Sequence, residues 1–191
     1  MRLQSFQISA ETCARSCAVA LGISIPISVA FDNVLLALIL IAWLAAGGHL
    51  EKLASAFHNR VALAAFGLFC LLVAGLIYSA ADPGDGPNML LKYIDLAFVP
   101  IFVGLFRDER VRRQAWLALA FALALTLVLS SLAWLDLISN NWLVMGDHNN
   151  PVVFKKYLTQ SVMMAFGALL FAQLARTTQS GWQRDGWWTL A

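Results

Sequence analysis

Four polar side chains stand at the start of a long apolar segment, and their spacing suits the binding of an anion. Lys155 and Lys156 are followed four residues later by Thr159 and Gln160, so each lysine has a neutral hydrogen-bonding group one helical turn deeper. The cation would attract a phosphate oxygen, and the hydroxyl or carboxamide would fix its position. The pattern predicts a site for a pyrophosphate group on a lipid-linked substrate. The alternative is that both lysines only reach towards lipid headgroups, as lysines at membrane helix ends do.

A second cation, Lys92, has Asp95 three residues later, so both side chains share one face of a predicted helix. In one interpretation, Lys92 and Asp95 form an ion pair that fixes this helix at the membrane surface. In the other, Lys92 binds a phosphate of the substrate while Asp95 holds the lysine in place. The chain has no Gly-rich phosphate loop, no HExxH sequence and no nucleophile elbow. Its three cysteines lack the partners of a zinc site. The sequence therefore predicts substrate-binding residues but no catalytic residue, metal site or cofactor.

The composition is that of a membrane protein. Hydrophobic residues make up 60% of the 191 positions and charged residues only 13%, whereas soluble domains have about 45–50% and about 25%. The mean hydropathy is +0.72. A net charge of +2 gives no indication of nucleic-acid binding.

Six apolar segments with polar breaks between them account for most of the chain. Because about 20 helical residues, at ~1.5 Å rise each, cross a hydrocarbon core of ~30 Å, we expect these segments to be transmembrane helices. The expected fold is an all-α integral membrane protein. It would be a bundle of about six transmembrane helices plus the start of a seventh, forming one membrane domain over residues 1–191. The predicted spans are 16–31, 34–46, 61–79, 89–106, 115–135 and 158–175.

Turn-forming and polar residues set the expected boundaries of these spans. Asp32–Asn33 predicts a tight break after the first span, and Gly47–Gly48 predicts the end of the second. The Pro- and Gly-rich residues 80–88 predict an irregular linker before the fourth. The first apolar segment is expected to remain as an uncleaved helix. The alternative is a signal peptide with a cleavage site in the small residues 28–30.

The distribution of cations predicts how the chain is oriented. Cytoplasmic loops of membrane proteins are rich in Lys and Arg. With the N-terminus in the cytoplasm, only Lys92, Lys155 and Lys156 would face the outside, and each lies near the start of a predicted span. The other ten of the 13 cations would face the cytoplasm: Arg2, Arg15, Lys52, Arg60, Arg107, Arg110, Arg112, Arg113, Arg176 and Arg184.

Three segments together resemble the amino-terminal part of a protein family. They are PISVAFDNVLLALILIAWL at 26–44, LLKYIDLAFVPIFVGLFRDERVRRQAWLAL at 90–119, and VVFKKYLTQSVMMAF at 152–166. The sequence is similar to bacterial O-antigen ligases, of the O-antigen ligase/polymerase superfamily. The resemblance extends over nearly the whole chain and rests mostly on apolar residues.

The resemblance implies a function in lipopolysaccharide biosynthesis. Members of the family transfer a glycan from undecaprenyl pyrophosphate to the lipid A core, at the periplasmic face of the inner membrane and without a metal. Family members are about twice as long, and their essential arginines and histidine base lie mainly in a later periplasmic loop. The chain is therefore expected to be an N-terminal fragment, inactive alone. The residues carried over as substrate-binding are Lys155, Lys156, Gln160 and Lys92.

Three alternatives stay open at the level of sequence: a polymerase, a transporter or permease, and a small membrane scaffold with no activity of its own. An oligosaccharide polymerase of the same superfamily uses the same lipid carrier, and the acceptor would be selected by parts of the protein that this chain lacks. A transporter or permease is the second alternative. Such proteins commonly contain internal repeats and paired broken helices, and we find no internal repeat in this sequence.

Overall fold

The fold is all-helical in the part of the chain that the computed structural model describes, which is residues 2–78, 90–135, 137, 153–154, 157–177 and 190. No β-strand occurs among these residues. Seven α-helices lie within them: α1 Arg2–Ile27, α2 Val29–Ala46, α3 His49–Phe57, α4 Arg60–Ile77, α5 Asp95–Leu105, α6 Glu109–Trp134 and α7 Tyr157–Thr177.

The break between α1 and α2 lies at Ser28, four residues before the predicted break at Asp32–Asn33. Pro26 lies near the end of α1, where its missing N–H and its ring disfavour continuation of the helix. Asp32 instead belongs to the first turn of α2, where its negative charge is favourable because it faces the positive end of the helix dipole. Helix α1 also begins at Arg2, well before the predicted start of the first span at residue 16.

Two glycines end α2 as predicted. Gly47 and Gly48 have φ values of 71° and 68°, in the left-handed region that favours glycine. The segment that follows, predicted only to be polar, forms the short helix α3. α3 and α4 meet at an angle of 102°. The side-chain oxygen of Asn59 accepts a hydrogen bond from the N–H of Val61 at 2.9 Å and so caps α4.

The fourth predicted span, 89–106, is shorter and less regular than expected. The structure has a turn at Lys92–Ile94, and the regular helix α5 begins only at Asp95. With 11 residues, α5 is about 16 Å long, which is roughly half of the hydrocarbon thickness. It packs against α3 and α4.

Four described helices are long and apolar enough to cross a membrane, namely α1, α2, α6 and α7, and the bent pair α3–α4 would make a fifth if it counts as one span. The protein is thus an all-helical chain with the features of a multi-pass membrane protein. The predicted count of about six spans stays a prediction. The expected start of a seventh helix, at residues 187–191, lies outside the described residues except for residue 190.

The chain divides into two compact units, residues 1–15 with 40–112, and residues 16–39 with 113–191. In the second unit, α6 and α7 form a core of four buried residues: Ala120, Leu123, Leu170 and Phe171. The opposite face of α7 is also apolar but exposed, because Leu158 and Leu169 are 77% and 73% exposed. Apolar residues on both faces of one helix indicate that one side meets lipid.

Candidate functional site

Gln160 ties the segment before α7 to the neighbouring helix α6. Its Oε1 accepts a hydrogen bond from the backbone N–H of Val153 at 3.0 Å, and its Nε2 donates to Ser130 Oγ at 3.3 Å. Val153 is buried, so an unbonded N–H at this position would cost about 1–3 kcal/mol. The carboxamide therefore fixes the residues through which the chain enters α7. We call Ser130, Val153, Phe154 and Gln160 the α7 entrance.

Phe154, next to Val153, has a strained backbone. Its φ is 69°, and it is the only described residue other than glycine with a positive φ. This conformation costs a non-glycine residue about 1–2 kcal/mol, and such residues cluster at functional sites. In the sequence, Phe154 immediately precedes Lys155. In the sequence, the strained Phe154 and Val153, whose N–H bonds to Gln160, thus directly precede the two lysines that are predicted to bind an anion.

The apolar wall below this entrance is closely packed. A cavity of only about 10 Å³ lies among Thr126, Gln160, Met163 and their neighbours, which is room for at most one water. Thr126 is buried and donates its hydroxyl to Ala122 O at 2.8 Å. Met163 and Met164 both line this small cavity. Phe166 instead stacks against Trp116, with ring centroids 6.4 Å apart.

The remaining predicted site residues are distributed as follows. Lys155 and Lys156 lie outside the described residues. Lys92 is exposed in the turn before α5, and no ion pair joins it to Asp95 in the part of the chain that is described. Lys92 belongs to the first unit and Gln160 to the second.

An ion-pair network in the first unit was not predicted from the sequence. Arg15 Nη2 lies 3.1 Å from Glu11 Oε1, and Arg15 Nη1 lies 3.0 Å from Asp108 Oδ2. Lys52 Nζ lies 3.7 Å from the second oxygen of Glu11. These four residues, the Arg15 network, join α1, α3 and the start of α6. Only the i,i+4 spacing of Glu11 and Arg15 signalled part of this network in the sequence.

Three members of the Arg15 network, Glu11, Arg15 and Lys52, line one side of a cavity of about 310 Å³. Charged and polar residues line this side, and α2 and α5 supply an apolar wall that includes Trp43 and Leu105. Arg107, which also lines the cavity, donates from Nη1 to Ser55 Oγ. Within the described residues, no group of three or more His, Cys, Asp or Glu side chains could hold a metal ion.

Comparison with known proteins adds no assignment: no family model, no curated protein and no solved structure matches the chain.

Proposed function

We propose that this chain is the N-terminal membrane part of an O-antigen ligase-like protein. In this proposal the start of α7 holds the pyrophosphate of an undecaprenyl-linked glycan for transfer to the lipid A core. The site would lie at the outer face of the inner membrane, with the N-terminus in the cytoplasm. The observation that carries the proposal is the α7 entrance, where Gln160 bonds to Val153 and Ser130 beside the strained Phe154.

The α7 entrance supports a binding site because it reduces the ordering cost of binding. A segment whose backbone is already held in one conformation loses less entropy when a ligand arrives. Phe154 has an unfavourable backbone conformation, and the N–H of the preceding Val153 makes a part-buried hydrogen bond to Gln160. Ordinary entry into a helix does not require a strained residue. Lys155 and Lys156 follow directly in the sequence and would supply the two charges for the diphosphate.

Gln160 takes a different part in this proposal from the one that its spacing suggested. The sequence pattern assigned its carboxamide to a phosphate oxygen, but both ends of the carboxamide bond within the chain. We therefore treat Gln160 as a positioning residue, while Lys155 and Lys156 remain the proposed substrate ligands. The exposed lipid face of α7, with Leu158 and Leu169, offers the prenyl chain a route along the outside of the helix.

A binding experiment tests the proposal directly. The full chain is placed in nanodiscs, and retention of undecaprenyl pyrophosphate is compared with retention of undecaprenol, which lacks the phosphates. We expect the double variant Lys155→Ala, Lys156→Ala to lower pyrophosphate retention by about tenfold or more, because two charge-assisted hydrogen bonds are lost. Arg176→Ala, an exposed cation at the other end of α7, is the matched control and should leave retention unchanged.

Two further variants separate positioning from binding. Ser130→Ala removes one of the two hydrogen bonds of Gln160 without adding a charge, and it should retain more ligand than Gln160→Leu, which removes both bonds. A complete protein that carries this chain should lose glycan attachment to lipid A core in the double lysine variant while its membrane insertion persists. Equal retention of undecaprenol and its pyrophosphate would contradict the proposed site. Shortened glycans without a loss of attachment in the same variant would point to a polymerase instead.

A further inference from the structure

The 310 Å³ cavity of the first unit has the size and lining of a small binding site. Its volume is at the low end of the ~300–1,000 Å³ that is usual for ligand pockets. This space suits a headgroup rather than a whole lipid. One wall carries charged side chains from α1 and α3 with Arg107, and the other carries Trp43, Pro100 and Leu105 from α2 and α5. A ligand that fits would itself have a charged part and an apolar part.

The cavity offers charges of both signs. Arg15 is already bonded through Nη1 and Nη2 to Asp108 and Glu11, so it forms a fixed part of the wall. Among the described residues, the one ion pair of Lys52 Nζ is with the carboxylate of Glu11 at 3.7 Å, which is too long for a hydrogen bond. Lys52 and Arg107 thus provide cationic donors. Glu51, which also lines the cavity, provides an anionic acceptor in the first turn of α3.

We propose that this cavity binds the headgroup of a zwitterionic phospholipid that carries a primary ammonium, as phosphatidylethanolamine does. Lys52 and Arg107 would bind the phosphate, and Glu51 would accept hydrogen bonds from the ammonium group. A membrane lipid is favoured over a soluble molecule because Trp43 places the cavity at the end of α2, one of the candidate spans. Tryptophan is enriched where membrane helices meet the headgroup region. This site belongs to the first unit and the α7 entrance to the second, and the lipid proposal does not depend on the function of the α7 entrance.

Native mass spectrometry of the full chain released from nanodiscs tests the proposal. The nanodiscs contain equal amounts of phosphatidylethanolamine, phosphatidylcholine and phosphatidylglycerol. We expect phosphatidylethanolamine to be retained about fivefold over each of the others. The choline headgroup cannot donate a hydrogen bond to Glu51, and the glycerol headgroup has no cation for it. Phosphatidylglycerol retained as well as phosphatidylethanolamine would overturn the proposal.

Variants in the wall distinguish the two halves of the headgroup. Lys52→Gln should lower retention of phosphatidylethanolamine and phosphatidylglycerol alike. Glu51→Gln should lower only phosphatidylethanolamine, about fivefold, and so shift the preference between lipids in a way that a general loss of structure would not. Arg113→Gln, an exposed arginine that does not line the cavity, is the control. An unchanged lipid preference in Glu51→Gln would refute the assigned contact.

The shape of the cavity gives an independent test. Gly104 lines the cavity, and a Cβ built on it meets no atom within 4 Å. The backbone thus has room for a Cβ at this position, and we expect Gly104→Leu to occupy part of the cavity and abolish the lipid preference. Gly67→Leu, which also faces open space but lies outside the cavity, is the matched control. Water-soluble O-phosphoethanolamine at the same concentration should be retained at least about tenfold less, since it lacks apolar contacts. Equal retention of the soluble compound would assign the site to a free phosphate ester and overturn the lipid.

Discussion

Substitutions of Asp108 separate two contributions that this side chain makes in the first unit. Its Oδ1 accepts a hydrogen bond from the N–H of Arg110 at 2.9 Å and so caps α6, while Oδ2 lies 3.0 Å from Arg15 Nη1. Asn caps helices about as well as Asp but carries no charge. Asp108→Asn therefore removes the ion pair and keeps the cap, whereas Asp108→Ala removes both.

The expected magnitudes follow from burial and from the cap. The side chains of Arg15 and Asp108 are 39% and 38% exposed, so solvent screens the pair and Asp108→Asn should cost about 0.2–1 kcal/mol. Loss of the cap should add about 1 kcal/mol, which places Asp108→Ala at roughly 1.2–2 kcal/mol. The assay is the free energy of unfolding of the full chain in mixed micelles, titrated with a denaturing detergent.

A double-mutant cycle and a control complete this test. Arg15→Gln combined with Asp108→Asn should give a coupling energy of about 0.2–1 kcal/mol. Asp95→Asn, an exposed acid at the start of α5, should change the free energy of unfolding by less than about 0.5 kcal/mol. If Asp108→Ala costs no more than Asp108→Asn, the cap makes no contribution and the interpretation of Asp108 is wrong.

Three further predictions concern packing and orientation. Gly22→Ala should destabilise the chain by about 1–3 kcal/mol, because its Cβ would lie 2.9 Å from a backbone carbonyl oxygen of α6. The control Gly67→Ala places its Cβ in open space and should be neutral or stabilising. Equal free energies of unfolding for the two variants would contradict this packing. Leu123→Ala should cost about 2–5 kcal/mol, because Leu123 is 1% exposed in the core of the second unit, and a loss below about 1 kcal/mol in the same unfolding assay would contradict that core. Reporter fusions should show Asn149 outside and Gln179 in the cytoplasm, and the same side for both would contradict the orientation.

The glycines show how much of the packing the sequence could specify. Small residues allow membrane helices to approach closely, and the sequence permits such contacts inside predicted spans at Gly67, Gly75, Gly104 and Gly167. Only Gly167 has a close neighbour, since a Cβ there would lie 3.3 Å from Leu123 Cδ1. Sequence identifies where a close approach is permitted, but the partner helix decides where it occurs.

The sequence by itself determined the all-helical class, the apolar segments and the end of α2. These properties depend on residues close together in the chain: the length of an apolar run, its lack of charge, and the left-handed backbone that Gly47 and Gly48 accept. Local polarity was less reliable at Asp32, because an acid that can end one helix is also favourable in the first turn of the next.

Only the tertiary structure decided which polar groups meet. Gln160 reaches Ser130, which lies 30 positions earlier, and Arg15 reaches Asp108 across 93 positions. No periodicity within one helix specifies such a pair, because it depends on which faces of two helices pack together. For the same reason, the sequence assigned the carboxamide of Gln160 to a ligand, while the fold uses it to hold Val153 and the start of α7.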